Sequence, residues 1–136
     1  MPVTKMEHFL VLTDDIEITR DFYCKALGVV VGPRPPLNFG GYWLYLGDVP
    51  CIHIGDWSTY TANATQHGIP VSSRAPGTGS MDHVAFNADD FDEVASRLRS
   101  HKIPSALNVV KENGLRQLFL EDPNGLRIEI NIPAGR

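Results

Sequence analysis

Four side chains, His8, His53, His83 and Glu129, stand out because their spacing repeats. His8 and His83 lie 75 residues apart, and His53 and Glu129 lie 76 apart. Three imidazoles and one carboxylate are borderline N/O donors, suited to one divalent ion of Fe, Mn, Ni, Co or Zn and poorly suited to Cu(I) or an all-oxygen calcium site. Four protein donors would leave two octahedral positions open, room for a substrate to chelate through adjacent oxygens and become a stronger acid. An imidazole not tightly held by metal is a competent base near neutral pH, so His53 reads either as a ligand or as the catalytic proton carrier.

The elements that must position these residues repeat as well. EHFLVLTDDI near the start is echoed by DHVAFNADDF at residues 82–91, with His8 matched to His83, Asp14 to Asp89 and Asp15 to Asp90. An acidic residue, Glu7 or Asp82, precedes each histidine. After each Asp-Asp pair an apolar stripe of period 3.6 follows: Ile16, Phe22, Tyr23 and Leu27, then Phe91, Val94, Ala95 and Leu98. Asp15 and Asp90 suit helix N-caps, and Gly28 suits the first helix stop. WLYLGDVPCIHI and LFLEDPNGLRIEI each read as a hairpin around a tight turn. Strands are expected near 5–13, 29–34, 41–47, 50–55, 81–87, 105–110, 116–121 and 126–132, with helices near 15–27 and 90–101. The fold class is therefore α+β, a βαβββ module at 1–55 and another at 81–136. Residues 56–80 form a connector with a short helix around Tyr60–His67 and a mobile part.

Alternation assigns the faces. Leu126, Ile128, Ile130 and Ile132 share one side of the last strand, and Arg127, Glu129 and Asn131 share the other. Around His53 the split repeats, Ile52 and Ile54 against Cys51, His53 and Gly55. His8 lies in a strand apolar on both faces, which predicts burial. With helices covering the isoleucine faces, the opposite faces would bound a cleft for all four residues. Tyr42 and Tyr45 could wall a bound ligand, and Arg34 and Arg116 could clamp a substrate carboxylate. His67 and His101 have no counterparts in the repeat and stay outside the site.

Composition narrows the partners. A chain of 136 residues, 43% hydrophobic and 21% charged, is the size of one soluble domain. Net charge is −4 without a basic cluster, so no nucleic-acid partner is expected. No run of about 18 apolar residues or leader-like start occurs, so no membrane partner and a cytoplasmic location are expected. Cys24 and Cys51 lack CxxC spacing and read as free thiols.

Taken together, EHFLVLTDDIEITRDFYCKALG, DHVAFNADDFDEV and LEDPNGLRIEI resemble the vicinal oxygen chelate superfamily, the glyoxalase, bleomycin-resistance and extradiol-dioxygenase group, over essentially the whole chain. The resemblance implies paired βαβββ modules forming a cupped mixed sheet around one divalent ion, helices outside, usually in a homodimer. It places metal ligands in the first and last strands of each module, at His8, His53, His83 and Glu129. His8, His83 and Glu129 would satisfy the ring-cleaving dioxygenase set. The tyrosine of that signature is Phe119 here, and NVVKENGLRQ offers no counterpart to its upstream histidine. The expectation is a metal-dependent lyase or isomerase acting on a small molecule with adjacent oxygens. An extradiol-type dioxygenase is the alternative, and a non-catalytic ligand-sequestering protein like the bleomycin-binding relatives the third.

Overall fold

The computed structural model describes residues 1–136. The chain divides into two compact units, one comprising Met1–Cys24 and Gly28–Arg74, the other Ala75–Arg136 with Lys25–Leu27.

In the first unit the order is β1 (Phe9–Thr13), α1 (Ile16–Leu27), β2 (Val30–Gly32), β3 (Gly41–Leu46), β4 (Val49–Asp56) and α2 (Trp57–His67). The four strands form one mixed sheet in the order β1-β4-β3-β2, with β1 parallel to β4 and the rest antiparallel. The second unit repeats it with β5 (His83–Asn87), α3 (Phe91–Ser100), β6 (Ala106–Val109), β7 (Arg116–Glu121) and β8 (Arg127–Ile132), in the order β5-β8-β7-β6. The registers match as the sequence echo does: Leu10 pairs with His53 and Ala85 with Glu129, while Trp43 faces His53 and Phe119 faces Glu129. The fold is thus α+β, two βαβββ modules, each with its own four-stranded mixed sheet.

Local chemistry explains why each module closes. Asp15 accepts the Ile18 amide and Asp90 the Glu93 amide, satisfying donors at the two helix starts. The buried Thr13 hydroxyl accepts from both the Asp15 amide and Thr19 Oγ1, tying β1 to α1. Gly28, at φ 74°, ends α1 in the left-handed region where a Cβ would be strained. Val11, Leu44, Ile52 and Ile54 are buried together with Tyr23 of α1 in the first core, and Leu118, Leu120, Ile128, Ile130 and Ile132 with Leu98 of α3 in the second. One face of each sheet is therefore covered by its helix.

The connector differs from expectation. Its helix starts directly at the end of β4, where Asp56 accepts the Thr59 amide and both the Ser58 and Thr59 hydroxyls, and runs to His67 with Ala64 buried. The helix expected around Tyr60–His67 thus begins earlier, at Trp57, because Asp56 both ends β4 and caps the helix. β1 is also shorter than expected, beginning at Phe9, so His8 precedes it and its side chain keeps 33% of its exposure rather than being buried.

Candidate metal and proton-transfer site

Each unit presents one pair of the expected residues on the sheet face away from its helix. In the first, that face carries Leu10, Leu12, Trp43, His53 and Gly55: a Cβ on Gly55 would meet Leu12, Phe39 and Leu10 at 3.0, 3.4 and 3.5 Å. The His8 ring stacks on His53 with centroids 3.6 Å apart and 14° between planes. His53 stacks in turn on Trp43, at 4.1 Å and 10°. The Pro50 carbonyl favours a proton on the His53 ring. His53 Nε2 is buried without any partner, so the carbonyl acts on Nδ1 and the free lone pair falls to Nε2. Burial, then the charge of His8, holds the His53 imidazole below its ordinary range.

The second unit's pair is His83 and Glu129. Asp82 Oδ2 lies 2.8 Å from His83 Nδ1, and the Arg127 guanidinium bonds the same oxygen at 3.2 Å. A carboxylate only accepts, so this contact puts the ring proton on Nδ1 and leaves the lone pair on Nε2. That Nε2 faces Glu129 Oε2 across 3.6 Å, beyond hydrogen-bonding distance. Glu129 is only 7% exposed and accepts from Gln117 at 3.2 Å and Asn131 at 2.9 Å. Gln117 also receives the Asn108 amide at 2.8 Å, and its own amide is 3.1 Å from Asn131 Oδ1. Glu129 is therefore held by a side-chain network on one sheet face.

These environments suit a divalent ion. Two acceptors face each other at His83 and Glu129, and this pair would hold the ion. Glu7 Oε1 lies 2.9 Å from His8 Nδ1, so His8 also offers Nε2. Imidazole lone pairs lie in the ring plane, however. In rings stacked face to face 3.6 Å apart and 14° from parallel, the lone pairs lie in nearly parallel planes and do not converge on one point. Nowhere in the chain do three or more His, Cys, Asp or Glu side chains already gather as a ready metal site.

The other expected residues divide by face. Arg34 lies beside the His53 face: its guanidinium carbon is 5.0 Å from the centre of the Phe39 ring, which packs against Gly55. It donates to the Phe39 carbonyl at 2.6 Å, while its Nε is buried and unpaired. Burial draws this guanidinium below its ordinary value. Tyr45 stands in β3 with its hydroxyl given to the Pro33 carbonyl at 2.5 Å and its ring against Gly32. Tyr42 lies on the helix side, where its hydroxyl donates to Glu17 at 3.0 Å and accepts from Arg20 at 2.9 Å. Arg116 is also on its helix side, 4.1 Å over the Phe91 ring and donating to the Arg136 carbonyl. The period-two alternation of RQLFLE put Arg116 opposite Gln117, a signal that marks Gln117 rather than Arg116 as Glu129's neighbour. A pocket of about 300 Å³ in the second unit is lined by Pro104, Ala106, Phe119, Glu121 and Arg127, of which Ala106, Phe119, Glu121 and Arg127 lie on Glu129's face.

Comparison with known proteins agrees with this architecture. The family model described as Glyoxalase/Bleomycin resistance protein/Dioxygenase superfamily matches residues 5–130. A protein called Glyoxylase I 4 from Arabidopsis thaliana is 29% identical over 135 residues, covering 94% of this chain and 70% of its own length. The crystal structure of lactoylglutathione lyase from Agrobacterium tumefaciens superposes with a TM-score of 0.70 at 22% identity, over 96% of this chain and 95% of that one. The glyoxalase family protein from Enterococcus faecalis superposes with a TM-score of 0.64 at 25% identity, over 96% and 99% of the two chains. At such identity these superpositions speak to the fold.

Proposed function

Because this chain belongs to the Glyoxalase/Bleomycin resistance protein/Dioxygenase superfamily, we propose that it is a metal-dependent lyase or isomerase acting on a small molecule that offers two adjacent oxygens, and that it works as a homodimer. His8, His83 and Glu129 hold the ion. His53 is the proton carrier, since its single free lone pair cannot both ligate and take a proton. A bound divalent ion would act as a Lewis acid toward the substrate's oxygens, making the neighbouring C–H more acidic.

The protein's own groups do the rest. His53 takes the proton at Nε2 and returns it to the adjacent carbon or to a leaving group. The Pro50 carbonyl favours the protonated ring. Trp43 keeps the His53 ring flat and shielded from water on one side. Arg34, with its unpaired Nε, receives an anionic oxygen of the substrate. The observation that carries this reading is the buried, partnerless Nε2 of a neutral imidazole. A lone pair so placed is expensive unless a ligand meets it.

Conversion of α-hydroxycarbonyl compounds, followed with and without chelator, tests the reading. Chelation is expected to abolish turnover, and His53→Gln to lower kcat by about 10²–10⁴-fold while metal content holds. Turnover indifferent to chelator would overturn it, as would oxygen uptake with a ring-opened product from catechols.

A further inference from the structure

The residue before each proposed histidine ligand is acidic in both modules, and both carboxylates contact Nδ1. Glu7 reaches His8 at 2.9 Å, and Asp82 reaches His83 at 2.8 Å. Adjacent residues of an extended strand point to opposite faces, so a side chain does not ordinarily meet its immediate neighbour's ring tip. Here both do, at the point where each chain segment enters its first strand. The two contacts are unequal beyond that. Asp82 is held from its far side by Arg127, which lies in register with His83 on β8 and two residues before Glu129, on the same face. Glu7 receives no such clamp, and the position that corresponds to Arg127 in the first module is Cys51.

We propose that Asp82, clamped by Arg127, is a positioning residue that keeps His83 in its Nδ1–H form with Nε2 turned toward Glu129, and that Glu7 does the same, more weakly, for His8. The inference rests on His8, His83 and Glu129 being metal ligands. A ring free to spin, or protonated on Nε2, must be reoriented or lose its proton before it can ligate. A carboxylate on Nδ1 removes that step and makes the imidazole a stronger donor. β8 thereby sets ligand and orienter together, since Glu129 and Arg127 share its face. Both carboxylates are largely exposed, with 68% of the Asp82 side chain and 71% of that of Glu7 in solvent. Water competes for an exposed pair, which is why the clamp on Asp82 matters and why Glu7 contributes less.

The test uses the full chain and its Asp82→Ala, Asp82→Asn and Glu7→Gln variants, with two readouts. Long-range ¹H–¹⁵N NMR of the metal-free protein at pH 8 reports which ring nitrogen of His83 carries the proton. Cobalt(II) binding, followed by absorption and chelator competition, reports affinity. Wild type is expected to show the Nδ1–H form, and Asp82→Ala to lose that bias and bind cobalt about 10–100-fold more weakly. Asp82→Asn keeps an accepting oxygen of the same size and should recover part of both, while Glu7→Gln should shift affinity less than Asp82→Ala does. Unchanged His83 tautomer and unchanged cobalt affinity in Asp82→Ala would overturn the inference while leaving the metal reading intact. A wild-type chain that binds no cobalt would overturn the metal reading, and the inference with it.

Discussion

Deleting His8, His53 and then both measures how strongly the two rings hold each other. The rings lie 3.6 Å apart and nearly parallel. Aromatic pairs in such geometry contribute about 0.5–1.5 kcal/mol beyond their buried area. His53 is sandwiched by Trp43 and tied to Pro50, whereas His8 stands at the open end of the stack, before β1 begins. His8 therefore takes part in one stack, whereas His53 takes part in two. Urea unfolding of the metal-free chain and of the His8→Ala, His53→Ala and double variants at pH 8, with chelator, should yield a coupling of about 0.5–1.5 kcal/mol. His8→Ala should leave the Trp43 stack on His53 in place, read from the ring-current shifts of the His53 protons in ¹H NMR. A coupling indistinguishable from zero, or loss of the Trp43 ring-current shift from His53 in His8→Ala, would refute the reasoning.

Other perturbations have equally definite outcomes. Glu129→Ala removes the one anionic ligand and should abolish tight cobalt binding; a variant that binds as wild type would exclude Glu129 from the site. The His53 imidazole is held below its ordinary value of about 6.5 by burial first and by the charge of His8 second. The unfolded chain therefore binds this proton more readily, and the stability contributed by neutral His53 is present above pH ~6.5 and lost as pH falls through the folded value. His53→Gln should flatten that part of the urea midpoint against pH in chelator, and an unchanged slope would count against the assignment. Ile128→Ala opens a hole in the fully buried core of the second module and should lower stability by about 2–5 kcal/mol, read by urea denaturation. Gly41→Ala would place a Cβ 1.9 Å from the Ile54 carbonyl oxygen across β3 and β4, and the forced shift should lower stability by about 1–3 kcal/mol in the same assay.

Much of the architecture was legible without coordinates. The echo of EHFLVLTDDI in DHVAFNADDF reflects a repeated module, and a repeated module needs the same caps and core positions. Asp15, Asp90 and Gly28 accordingly stand where a helix start or stop must satisfy its backbone. Alternation is equally local, which is why the isoleucines of β4 and β8 and the polar faces opposite them were assigned from spacing alone.

Contacts between segments distant in the chain were decided by tertiary structure. Tyr42 and Tyr45 are near-equivalent in sequence, yet only register with α1 gives the Tyr42 hydroxyl to Glu17 and Arg20. Arg116 is a plausible clamp by composition, but Phe91 of α3 lies under it. The stacking of His8 on His53 needs the parallel pairing of β1 with β4, and the Nδ1 contacts of Glu7 and Asp82 need the bend where each first strand begins. Residue types and periods follow from local physics that a single sequence carries. Which lone pair is left free depends on the orientation of side chains brought together by folding.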